Sequence, residues 1–260
     1  MTPPPVALTI AGSDPSGGAG LQADLKTFER FNVYGQAVIA LLTVQNTLNV
    51  SEVSLIDAAL VTRQLDALSD DIPPHAAKTG ALGSAENVQA VADWARRTGT
   101  PLVVDPVMIS TSGARLLDEA AERALLSNLF PAARLVTPNL PEAARLSGLS
   151  IQNRDDMLTA AQRIYESGPG AVLIKGGHLP GDEAYDLLFD AEGVTELSAP
   201  RIGSRPVHGT GCALSAAITA GLASGRPLVE SVQAAKEFLC EAIESAPALG
   251  HGAATLNWRR

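Results

Sequence analysis

Short apolar runs alternate with helical patterns along the whole chain. The runs fall at 6–12 (VALTIAG), 36–43 (QAVIALLT), 101–107 (PLVVDPV), 134–139 (RLVTPN), 171–177 (AVLIKGG) and 184–190 (AYDLLFD). Each is brief and stops at a glycine, a proline or a polar turn, which predicts strands. Amphipathic stretches lie between them. The clearest places Val88, Val91, Ala92 and Ala95 at i, i+3, i+4 and i+7, with Ser84 positioned as the N-cap. Unbroken apolar strands separated by helices belong to a mainly parallel sheet covered on both faces. The expected fold is α/β, a three-layer αβα sandwich with a mainly parallel central sheet. No linker, repeat or low-complexity segment interrupts the pattern, so residues 1–260 are expected to form one domain.

Ligands of such sheets bind at the carboxyl ends of the strands. That rule selects GSDPSGGAG after the first run, TVQNT after the second, and AKTG at 77–80. It also selects DPVM at 105–108, TPNLPE at 137–142 and KGGH at 175–178. Composition narrows the partners. The 260 residues are 46% hydrophobic and 18% charged, enough for a sizeable core. Net charge is −9 and no run of Lys or Arg could follow a phosphate backbone, so nucleic acid is not an expected partner. The segment MTPPPVALTIAGSDPS lacks basic residues, and its apolar run is too short for a signal peptide or a membrane span. A soluble, cytoplasmic protein without a membrane partner is expected. Cys212 and Cys240 form neither a disulfide framework nor a metal-binding spacing. Only four of the nineteen basic residues are lysines: Lys26, Lys78, Lys175 and Lys236. In an arginine-preferring background each is a candidate for a place that needs a compact ammonium.

The stretch RPVHGTGCALSAAITAGL carries the strongest chemical signal. Gly209-Thr210-Gly211 can bring several backbone N–H groups to one point, and the helix that follows adds its unpaired N–H groups and partial positive charge. Together they suit an anion such as phosphate. Cys212 in the first turn would have its thiolate stabilised, lowering its pKa toward that of a base at neutral pH. The plainer alternative is a tight turn capped by Thr210 ahead of a buried helix. Cys240, inside AAKEFLCEAIE, reads as core.

The second glycine-rich turn, IAGSDPSGGAG, has neither P-loop nor G-x-G-x-x-G spacing, but would let backbone approach a flat ligand. Asp24, one turn on, could accept a hydrogen bond from a substrate hydroxyl or amino group, or simply face solvent. Asn139 and Glu142 have capping-box spacing, while Glu142 could also hold waters on magnesium. Asp105 is a second candidate carboxylate. Lys175 is placed to neutralise a nucleotide phosphate.

Taken together, IAGSDPSGGAGLQADLKTF, TVQNT, DPVMISTSGARLL, TPNLPEAARLSG, LIKGGH, HGTGCALSAAI and LGHGAATLNW resemble one family over nearly the whole chain. It is the hydroxymethylpyrimidine and phosphomethylpyrimidine kinases of thiamine biosynthesis, of ribokinase-like fold. The resemblance implies a cytoplasmic homodimer using ATP and Mg2+ to phosphorylate 4-amino-5-hydroxymethyl-2-methylpyrimidine and then its monophosphate. It implies that Cys212 is the general base and that the N–H groups from Gly209, Thr210 and Gly211 to Cys212 hold the transferring phosphoryl group. Thr137, Asn139, Lys175 and Lys236 would face ATP, with Glu142 and Asp105 serving the metal. Gly12, Asp24, Gln45 and the backbone at Val107 would define the pyrimidine pocket. One departure stands out: AAKTGALGS usually reads closer to KIGMLGS, so Thr79 and Ala81 replace larger apolar residues and leave substrate range open. Pyridoxal kinase is the first rival reading, and a non-catalytic pyrimidine-binding sensor is the second.

Overall fold

The computed structural model describes residues 3–109, 113, 116–177, 179, 181–202 and 207–259. Residues 110–112, 114 and 115 of DPVMISTSGARLL and residue 178 of KGGH, both read above as strand-end motifs, lie outside the described residues.

Strand β1 (Val6–Ser13) leads through a glycine turn into α1 (Gly20–Arg30), and β2 (Tyr34–Gln45) and β3 (Val50–Leu55) form a hairpin before α2 (Ala58–Asp71). Then follow β4 (Ala76–Thr79), α3 (Ala85–Thr98), β5 (Leu102–Val104), α4 (Glu119–Ala124), β6 (Leu135–Val136), α5 (Leu140–Ser147), α6 (Arg154–Tyr165) and β7 (Ala171–Lys175). Next come β8 (Glu183–Asp190), β9 (Gly193–Pro200), β10 (Val207–His208), α7 (Thr210–Ala223), α8 (Leu228–Glu244) and β11 (Ala254–Thr255).

Among the described residues nine strands make one sheet in the order β3-β2-β1-β4-β5-β6-β7-β8-β9. The run from β2 to β7 is parallel, and β3, β8 and β9 add antiparallel edges. Helices α1, α7 and α8 cover one face, and α2 to α6 cover the other. The three-layer, mainly parallel expectation holds.

The details follow side-chain chemistry. Ser84 Oγ accepts the Asn87 N–H at 3.2 Å, and α3 ends at Gly99 with a φ of 67°, so a capped helix lies where the periodicity placed it. Strand β5 stops sooner than PLVVDPV suggests. The Val107 N–H folds back onto the Asp105 carbonyl at 2.8 Å just beyond Pro106 and ends the ladder. Strand β4 was not predicted, because AAKT has no branched apolar run. Neighbours on both sides nevertheless bury it completely. Helix α7 is buried almost all round, as an alanine-rich helix between a sheet and two helices must be. At Gly221 a Cβ would lie 2.6 Å from Ser231 Oγ, so the glycine lets α7 press its backbone onto the Ser231 side chain of α8. Among the described residues no helix is long and apolar enough to cross a membrane.

Candidate active site

The two glycine turns meet above the carboxyl ends of β1 and β4. Gly209 caps α7 with a φ of 82°, in the left-handed region that favours glycine. A Cβ there would run into the Gly18 carbonyl, so the turns touch backbone to backbone. Gly209, the N-cap of α7, has no side chain to cap it, and Thr210 is the helix's first residue, which removes the reading of Thr210 as the cap. The opening N–H groups of α7 therefore face the cleft without carbonyls of their own helix. Helix α1 arrives beside them, and its Gly20 N–H is directed at the Cys212 sulfur. Asp14 organises the first turn by accepting N–H groups from Ser16 (2.8 Å), Gly18 (3.2 Å) and Ala19 (2.8 Å). Burial alone would raise its carboxyl, but hydrogen bonds from His208 and Ser16 hold it below the ordinary value.

Cys212 departs from expectation. Burial pushes the thiol up to about 11, and the opposing pull of Lys78 and the Gly20 N–H does not overcome it. In the ligand-free protein it is a thiol. Beneath it lies a buried ion pair that the sequence did not announce, with Lys78 Nζ 2.9 Å from Asp24 Oδ1 and both side chains inaccessible. The other Asp24 oxygen accepts from Thr9 Oγ1 at 2.6 Å. Asp24 therefore faces neither solvent nor substrate: it sits on the inner side of α1 with both oxygens engaged, which corrects its assignment to the pyrimidine pocket. Burial opposes the charge on Lys78, yet Asp24, Cys212 and Asp105 together hold its pKa above the usual lysine value.

The second half of the site gathers at the ends of β5, β6 and β7. Lys175 Nζ lies 2.9 Å from Asp105 Oδ1, and Thr137 Oγ1 lies 3.4 Å from the same oxygen. Both turn toward α7, because a Cβ on Gly211 would be 3.2 Å from Lys175 Nζ and 3.5 Å from Asp105 Oδ2. Ser215 Oγ, a residue missed in the sequence, points at Asp105 Oδ2 from 3.5 Å while it also donates within its helix. Asn139 and Glu142 make a full capping box on α5: the Asn139 side chain accepts the Glu142 N–H at 2.9 Å, and Glu142 accepts the Asn139 N–H at 2.8 Å. Burial pushes Glu142 up to about 7, Lys175 pulls it back, and the nearby Asp105 charge pushes it further up. Lys236, expected to face the nucleotide, is buried against Asp186 Oδ2 (2.5 Å) and the Ala184 carbonyl (2.8 Å). Asp186 in turn accepts the Gly176 N–H at 3.0 Å, so Lys236 braces the turn after Lys175 and does not stand open to a ligand.

Of the pocket residues, Gly12 is buried, and a Cβ there would overlap Leu41 and lie 3.8 Å from Ala81. Ala81 thus packs beside Gly12. Thr79 is inaccessible and shares the sheet face of Ala77, toward α2 and α3. The Val107 N–H is engaged by Asp105, which leaves its carbonyl for a ligand. Gln45 ends β2 half-buried and within reach of His208.

Asp105 and Glu142 offer magnesium the hard oxygen donors it takes. Among the described residues no group of three or more His, Cys, Asp or Glu converges, so the chain brings few ligands of its own. Two hard carboxylates whose charges repel, beside one lysine, fit a cation that keeps most of its water and takes the rest from phosphate.

An anion-binding helix start, a cysteine beside it and a lysine–carboxylate cluster at the strand ends define an α/β kinase of the ribokinase-like class. Solved structures agree. An ADP complex of Bacillus subtilis pyridoxal kinase superposes with a TM-score of 0.90 at 38% identity, covering 98% of this chain and 97% of that one. Phosphomethylpyrimidine kinase from Clostridium difficile does so with a TM-score of 0.81 at 42% identity, over 91% and 98%. A hydroxymethylpyrimidine/phosphomethylpyrimidine kinase of Rhizobium meliloti is 50% identical over 95% of this chain and 93% of its own. Residues 14–257 match the phosphomethylpyrimidine kinase family, and the chain belongs to that family of phosphotransferases.

Proposed function

We propose that this chain transfers phosphoryl from ATP to the hydroxymethyl group of 4-amino-5-hydroxymethyl-2-methylpyrimidine, and then to the resulting monophosphate. The observation that carries the reading is Gly211, flanked on one side by Cys212 and on the other by the Lys175 ammonium, all at one helix start. Phosphoryl transfer asks mainly for positioning and charge neutralisation, and this arrangement supplies both.

In the first transfer the substrate hydroxyl oxygen forms its bond to the γ-phosphorus as the bond to the β,γ-bridging oxygen breaks. ADP leaves with that electron pair, and the hydroxyl proton goes to the thiolate form of Cys212, whose own proton has first been given up to solvent. The N–H groups of Gly209 to Cys212 hold the transferring oxygens, and Lys175 neutralises charge on the nucleotide. Glu142 and Asp105 would hold magnesium, which would supply charge screening of the nucleotide phosphates. Thr137 and Asn139 line the nucleotide side, and Gly12, Gln45 and the Val107 carbonyl line the pyrimidine side. The second transfer differs in one respect. Its nucleophile is a phosphate oxygen that is already anionic, so no proton need be removed.

Two copies are proposed to associate through the β2–β3 hairpin. Leu42 and Val44 are exposed on one face of it, and Val53 and Leu55 on the other, more apolar surface than a lone hairpin normally presents. ADP release measured with the pyrimidine, its monophosphate and pyridoxal tests the substrate assignment. The pyrimidine should give the highest kcat/KM. A higher value for pyridoxal would overturn the assignment in favour of a vitamin B6 kinase.

A further inference from the structure

One histidine ties the two glycine turns to the substrate side of the site. His208 directly precedes Gly209, and its Nε2 lies 3.1 Å from Asp14 Oδ2 and 3.0 Å from the side-chain amide of Gln45. An ionised carboxylate only accepts hydrogen bonds, so His208 Nε2 must carry its proton toward Asp14. A ring nitrogen that bears hydrogen has no lone pair left in the ring plane for a second donor. The amide group facing it must therefore be the Gln45 carbonyl oxygen, sharing that proton, since amide oxygen and nitrogen are set by their hydrogen-bond partners.

The other end of the amide agrees. It lies 3.2 Å from Thr43 Oγ1, whose own proton is directed to the Ser13 carbonyl at 2.8 Å. Thr43 Oγ1 is thus an acceptor for the Gln45 NH2. Among the described residues the protein engages one of the two N–H donors and one of the two carbonyl lone pairs, which leaves one donor and one acceptor for a ligand.

We propose that His208 and Asp14 are positioning residues that lock the Gln45 amide in this orientation. The ligand then meets a fixed donor–acceptor pair, the complement of an aminopyrimidine ring edge. Because His208 also continues straight into the anion-binding turn, reading of the ring and placement of the phosphoryl group share one rigid piece of backbone. This rests on the assignment of Gln45 to the pyrimidine pocket.

A double-mutant cycle tests it, with KM for the hydroxymethylpyrimidine and for ATP measured in each variant. Gln45→Ala and His208→Leu should each raise the pyrimidine KM about tenfold, and His208→Leu should raise the ATP KM less than about threefold. In the Gln45→Ala background, His208→Leu should add less than about twofold. His208→Gln, whose amide N–H reaches the Nε2 position, should restore the pyrimidine KM to within about threefold. Additive losses in the double variant, or equal rises for both substrates, would overturn the coupling. An unchanged pyrimidine KM in Gln45→Ala would overturn the pocket assignment, and the coupling with it. If His208→Leu does not fold, Asp14→Asn takes its place in the same cycle: non-additivity with Gln45→Ala supports the coupling and additivity overturns it.

Discussion

The two halves of the site are built on opposite electrostatic plans. On the acceptor side, the two carboxylates of the first glycine turn and α1 are matched inside the protein: Asp24 by Lys78 and Thr9, and Asp14 by His208 and three backbone N–H groups. On the nucleotide side, Asp105 and Glu142 both lean on Lys175, with Lys78 also acting on Asp105, and Glu142 is pushed up to about 7 by burial and by the Asp105 charge. The first half is complete before any ligand arrives, whereas the second lacks positive charge until a cation and a nucleotide enter together. A kinase of this design fixes its acceptor geometry permanently and makes its donor geometry conditional on the metal.

The sharpest way to break that contrast is Cys212→Ala. Loss of a general base should lower kcat for the hydroxymethyl substrate by about 10²–10⁴. The monophosphate, which has no hydroxyl proton to lose, should slow by less than about tenfold in the same ADP-release assay. Since the thiol titrates at about 11 and the thiolate is the active base, the first reaction should also speed up as pH rises from 7 to 9 in the parent. The second should not follow it. Alkylation of Cys212 should rise over the same range and be blocked by bound pyrimidine.

Next in size is the ion pair. Lys78→Met leaves Asp24 buried without its partner and should cost roughly 3–5 kcal/mol in denaturant melts, with Asp24→Asn in the same chain recovering most of the loss. On the nucleotide side, Glu142→Gln should raise the magnesium concentration needed for half activity about 10–100-fold. Its melting behaviour carries a sign as well. Glu142 titrates near 7 when folded against an ordinary 4.5, so the folded state prefers the protonated acid. That contribution is fully present below pH 4.5 and is lost as pH rises through 7. The parent should lose stability across that window without magnesium, and Glu142→Gln should be flatter there. The smallest effect is expected at Thr79. Its hydroxyl is buried without a partner among the described residues, so Thr79→Val should stabilise the fold by about 1 kcal/mol and leave both KM values unchanged.

Chain pattern made much of this visible. The parallel strands, the helix from Ser84 and the Gly-Thr-Gly turn were all legible, because short-range periodicity and turn chemistry dictate them. The Asn139–Glu142 spacing was legible too, and it proved to be a capping box and a carboxylate beside Asp105 at once. Strand β4 was not, since Ala76, Ala77 and Lys78 acquire strand character only from β1 and β5 on either side. Asp24 was misjudged for a related reason: a carboxylate on a helix looks solvent-bound until its buried partner is known. The partner had left a signal in the scarcity of lysine. Lys78, Lys175 and Lys236 each meet an aspartate at low exposure, while Lys26 lies over the Trp258 ring at 4.8 Å. Nothing local marked His208, whose partners Asp14 and Gln45 lie 194 and 163 residues away.

The backbone contact between Gly18 and Gly209 also sets a schedule. During synthesis the first turn emerges early, yet the surface it must press against appears only when residue 209 leaves the ribosome. Strand β11 then closes on β10, and Trp258 donates to Thr27 Oγ1 at 3.0 Å. Until those late segments dock, Asp14 lacks His208, and α1 has a start but no neighbour to define a cleft. A nascent chain of this kind can bury much of its sheet while remaining unable to hold a phosphate, so catalytic competence arrives as one of the last events of folding.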